Sequence, residues 1–69
     1  MRSMPFVIVV HFKDGTSSDT VYSRGLVPSR WDVMTIQIAG RSITCKVIEV
    51  RVIEQPETPS YAMVETQEI

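Results

Sequence analysis

One cysteine, Cys45, stands among 69 residues. A single thiol closes no intramolecular disulfide, so no cross-linked framework supports the chain. The one histidine, His11, and the one cysteine offer no zinc-ligand spacing. Three glycines, all isolated, make no phosphate-cradling loop. The longest apolar run, Met4 to Val10, falls far short of the ~20 residues that cross a bilayer. No charged leader precedes a long apolar stretch and a small-residue cleavage site. The expectation is therefore a soluble, cytoplasmic protein with no membrane partner. A basic excess is missing too: seven Lys/Arg face eight Asp/Glu, for a net charge of −1. That excludes DNA binding through the whole surface, which needs many phosphate-neutralising cations. Length excludes a doubly wound nucleotide fold, because 69 residues hold one domain at most.

What is present is an ordinary globular mixture, 43% hydrophobic and 22% charged, which excludes a wholly disordered chain. The charge is uneven. Residues 1–51 hold all seven basic residues and four acidic ones, a net of +3, whereas residues 52–69 hold four glutamates and no base, a net of −4. Below ~70–80 residues a single core rarely supplies more than ~3–5 kcal/mol. With disulfides excluded, an efficient β-core and self-association are the remaining supports.

The hydrophobic pattern predicts strands and no convincing helix. Pro5 to Phe12 is rich in β-branched and aromatic residues. Phe6, Ile8, Val10 and Phe12 share one face, while Val7, Val9 and His11 share the other, so this strand needs cover on both sides. Asp14-Gly15 marks a turn, and Val21 to Ser23 starts a second strand. Val33 to Ala39 alternates, with Met34, Ile36 and Ile38 inward. Ala39 to Arg41 turns the chain into a long strand, Ser42 to Ile53. There the apolar parity changes between Val47 and Ile48, which demands a bulge or bend. A proline-rich loop leads to a last strand, Tyr61 to Thr66. The best site for a single helical turn is Ser29 to Asp32, with Ser29 as its cap. The expected organisation is a disordered or cloning-derived N-terminus at 1–4, one β-barrel domain at 5–66 and a frayed end at 67–69. Its expected core is Phe6, Ile8, Val10, Met34, Ile36, Ile38, Ile43, Cys45, Val47, Val50 and Val52.

The segments Leu26 to Ile36 and Ala39 to Val50 resemble a pattern in small bacterial and phage-type proteins with SH3-like barrels. In that pattern a Pro and a short polar step end in Gly-Asp. An apolar strand, a Gly-centred hairpin, an aromatic and Val-x-x-Val follow. Trp31 stands where Gly is usual before Asp32, and Ile43 stands where Tyr or Phe is usual. The resemblance implies an all-β, SH3-like barrel of four or five antiparallel strands. It implies no activity, because such barrels host many functions.

Two surface features stand out. Arg24, Arg30, Trp31 and Arg41 form a candidate binding patch, since arginine and tryptophan together stack on bases and contact phosphates. Val7, Val9 and His11 form a candidate subunit interface on the second apolar face of the first strand. No serine sits in a Gly-x-Ser-x-Gly elbow, and no catalytic, cofactor or metal residues are marked. The expectation is a non-enzymatic, homo-oligomeric binding or assembly module without a cofactor. An acidic protein or a nucleic acid is the candidate partner for the arginine–tryptophan patch. The remaining alternative is an enzyme or ligand site shared between subunits.

Overall fold

The computed structural model describes residues 3–69. Met1 and Arg2, half of the expected N-terminal extension, lie outside the described residues. Five strands follow in order: β1 (Ser3–His11), β2 (Val21–Leu26), β3 (Val33–Ile38), β4 (Arg41–Ile53) and β5 (Tyr61–Glu68). No helix occurs among the described residues, so none is long and apolar enough to cross a membrane. The strands form one sheet in the order β2-β1-β5-β4-β3. The sheet curls strongly into a half-barrel, as in a small SH3-like barrel. One expectation needs amending: β1 and β5 run parallel, while the other three pairs are antiparallel. The N-terminal strand therefore docks beside the C-terminal one, and β5 lies in the middle of the sheet.

The strands reach closer to both ends than expected. β1 starts at Ser3, with Ser3 opposite Leu26 and Met4 opposite Gly25. β5 runs on past Thr66, because Gln67 pairs with both His11 and Lys46, and Ile69 N donates to Thr44 O at 3.0 Å.

The bend expected in β4 is present. Its pairing with β5 shifts between Val47 and Glu49, so Ile48 is the extra residue and the inward face changes parity there. The turn at Ala39-Gly40 takes positive φ at both residues, 51° and 77°. These angles give the primed two-residue turn whose twist matches paired strands.

The concave side of the sheet holds Phe6, Ile8, Val10, Ile36, Ile43, Cys45, Val47, Ala62 and Val64, all buried. Met34, Ile38 and Val50 pack against them half-buried. Val52, expected in this core, is 39% exposed. β3 pairs only with Arg41 to Lys46, so the half of β4 beyond the bulge has no neighbour on that side. Thr66 is the one buried polar side chain described, and its hydroxyl donates to Val9 O at 3.0 Å.

Candidate functional site

Where β3 stops short, the turn from Ser29 to Asp32 takes over the edge of β4. Trp31 N donates to Val47 O, and Val47 N donates to Asp32 O, both at 2.8 Å. The Arg30 Nε donates to Ile48 O at 3.0 Å, satisfying the carbonyl that the bulge displaces. The turn is not the helical one expected. Asp32 N donates to Ser29 O, and the Asp32 carboxylate accepts from Ser29 N at 2.9 Å. The Asp32 carboxylate reaches back to the Ser29 N–H as the acid of a capping box would, but the backbone goes on into β3. At Trp31 it takes φ = 79°, the left-handed conformation that suits glycine. Trp31 is therefore strained at this position.

The indole does not seal the open end of the sheet, being 59% exposed. The Arg30 guanidinium sits over it, 4.6 Å from the ring centroid. Arg30 and Trp31 therefore form one exposed unit: a flat apolar ring beside a cation whose Nε is already hydrogen-bonded.

The other two arginines of the expected patch lie elsewhere. Arg41 opens β4 at the far end of β3, about 20 Å along the strand from Val47. It lines a shallow cleft of about 300 Å³ with Phe12, Lys13, Asp14, Thr16 and Glu68. Arg24 lies on β2, at the opposite edge of the sheet order, level with Pro5. One chain thus brings together two of the four patch residues.

The candidate interface on β1 is partly covered within the single chain. Val7 is only 6% exposed within the single chain. Tyr22 and Met63 flank it in register on β2 and β5, and with Pro5, Thr20 and Tyr61 they frame an outer depression of about 320 Å³. The chain's own neighbouring strands supply the cover. Val9 and His11 are half-buried on the same face.

His11 belongs to a polar network that no sequence spacing marks. Its Nδ1 lies 2.8 Å from the Ser17 Oγ, and its Nε2 lies 3.2 Å from the Glu65 Oε1. Arg51 Nη2 donates to the other oxygen of Glu65 at 2.8 Å, and its Nε lies 3.6 Å from Glu49. Arg51 thereby bridges Glu49 and Glu65, which face each other across β4 and β5 and would otherwise repel. With Glu65 ionised, the network assigns the ring proton to Nε2 and leaves Nδ1 to accept the Ser17 hydroxyl. A hydroxyl–imidazole–carboxylate chain has the residue types of a nucleophilic relay. Beside it, Ser18 N donates to Val10 O at 2.8 Å. Ser17 pairs with His11 as an isolated bridge, closing the loop after β1 onto the sheet. The readable signals were the alternation of Glu49 with Arg51 and of Met63 with Glu65, which puts charge on the outer face of both strands. Among the described residues no group of three His, Cys, Asp or Glu side chains converges on a metal position.

The hydrogen bond to His11 holds the Glu65 carboxyl below its ordinary value of 4.5, aided by Arg51 and opposed by burial. A depressed folded-state value adds stability above the unfolded value, and that stability is lost as pH falls through the folded one. Glu65→Gln is therefore expected to unfold at lower urea than wild type at pH 7. The gap should narrow as pH falls below 4.5. Urea midpoints stepped from neutral to acid check this, and a gap that stays constant would remove Glu65 as the source. Set against protein-family models, curated proteins and solved structures, the chain matches none.

Proposed function

We propose that the protein is a non-enzymatic binding or assembly module that works as a homo-oligomer. The observation that carries this reading is the open sheet. β2 and β3 are both edges, and each presents large apolar side chains to solvent: Tyr22 (82% exposed) and Leu26 on β2, Val33 (59%) on β3. Unpaired edges with apolar side chains are surfaces that proteins cover or blunt. In a chain with a core on one side of one sheet, a second copy supplies both the cover and additional burial. Light scattering across a concentration series is expected to give at least twice the 7.8 kDa chain mass. A monomer at high micromolar concentration would end this reading.

A second reading has its own observation. The Arg30–Trp31 unit pairs a stacking surface with a cation, the combination that grips single-stranded nucleic acid without reading its sequence. It accounts for a strained tryptophan kept in solvent, which edge pairing by itself does not.

A further inference from the structure

We infer that β3 is the self-association strand, joining two copies as antiparallel neighbours about a two-fold axis at Thr35. This rests on the self-association reading above and says which edge serves it.

The two edges differ. β2 carries a cation, Arg24, and a glycine at φ = 125°, Gly25, the kinds of device that blunt an edge. β3, Val-Met-Thr-Ile-Gln-Ile, carries no charge, proline or glycine. Such a segment is an aggregation hazard unless something pairs with it. The backbone pattern fixes which groups are free. Val33 lies opposite Lys46, and the bond from Val47 N to Asp32 O marks that as a non-hydrogen-bonded pair. Met34, Ile36 and Ile38 therefore exchange bonds with β4. The N–H and C=O groups of Val33, Thr35 and Gln37 point to the open edge.

An antiparallel copy satisfies all of these in one register. Thr35 faces Thr35 of the second copy, and Val33 faces Gln37 at both ends, giving about six backbone hydrogen bonds. The same register keeps Met34 and Ile36 of both copies on the concave side, so the two cores join across the seam. Shifting the axis by one pair leaves Val33 facing Ala39, whose φ of 51° takes it out of strand geometry. The chosen register also sets the Ala39-Gly40 hairpin of one copy beside the Ser29–Asp32 turn of the other.

The test compares wild type with Thr35→Pro, Thr35→Lys and Thr35→Cys by light scattering and non-reducing gels. Proline at 35 removes an N–H that points away from β4, so the internal ladder is left intact. Lysine sets like charges face to face at the axis. Both are expected to yield folded monomers, by circular dichroism, at concentrations where wild type is a dimer. Thr35→Cys is expected to give a disulfide-linked dimer under mild oxidation. Directly opposed residues at ~5.5 Å between Cα atoms are within bridging range, and wild type's buried Cys45 should give none. A dimeric wild type whose Pro and Lys variants stay dimeric, or a Cys variant that never cross-links, overturns β3 pairing but leaves self-association standing. A monomeric wild type overturns both.

Discussion

Val64→Ala is expected to lower the melting temperature by about 8–16 °C, whereas Val52→Ala should move it by no more than a few degrees. Val64 is fully buried on β5, the middle strand, between Ile8 of β1 and Val50 of β4. Removing two methyl groups there costs about 2 kcal/mol in lost transfer energy and residual cavity. Each kcal/mol shifts the melting point of so small a domain by ~4–8 °C. Against the ~3–5 kcal/mol that a core of this size supplies, the variant is close to unfolding at body temperature. Val52 is the same residue type, but it lies on the stretch of β4 that β3 leaves uncovered. An exposed truncation stays within ~0.5 kcal/mol. Equal losses at the two sites, in parallel thermal melts, would mean that inside and outside have been misassigned. If the protein is oligomeric, the Val64→Ala melting point should also rise with concentration, because association draws on the folded state alone.

The contrast between these two valines also marks what was legible beforehand. Period-two alternation says which residues share a face, and it located the parity break after Val47 because no straight strand can carry one. It says nothing about which strands are neighbours. The last strand looked terminal and short, with Ala62 and Val64 left out of the expected core. Its parallel pairing with β1 makes it central and buries both. Val7 looked like a docking surface for the same reason: the pattern showed an apolar second face but not the Tyr22 and Met63 that flank it. Val52 had the right parity but lay beyond the reach of β3. The Ser17, His11 and Glu65 cluster spans 54 residues at its widest, so no local motif announces it. The Trp31 anomaly was visible in sequence, as a departure from a glycine pattern. Only φ gave it a physical meaning.

That anomaly supports the second large prediction, which concerns Trp31→Gly and Trp31→Ala together. A non-glycine residue in the left-handed region costs about 1–2 kcal/mol. Alanine keeps that strain and loses the contact with Arg30, worth about 0.5–1 kcal/mol at an exposed site. Glycine loses the same contact but relieves the strain, against roughly 0.5–1 kcal/mol of additional chain entropy. Trp31→Gly is therefore expected to be near wild type in stability and about 1 kcal/mol more stable than Trp31→Ala, by urea denaturation. If the tryptophan is retained for a partner, both variants should lose binding alike. Stacking one base is worth ~1–3 kcal/mol, a loss of roughly 5- to 150-fold in affinity. Anisotropy of a labelled single-stranded oligonucleotide at low salt reads this without depending on the chain's one tryptophan, and binding should weaken as salt rises. Absence of wild-type binding at low salt would dispose of the nucleic-acid reading. Undiminished binding by Trp31→Gly would show that the indole is not the contact. A glycine variant as stable as wild type but deficient in binding would separate the two roles of the turn. In that outcome the backbone from Ser29 to Asp32 closes the edge of β4, and the side chain at 31 serves a partner.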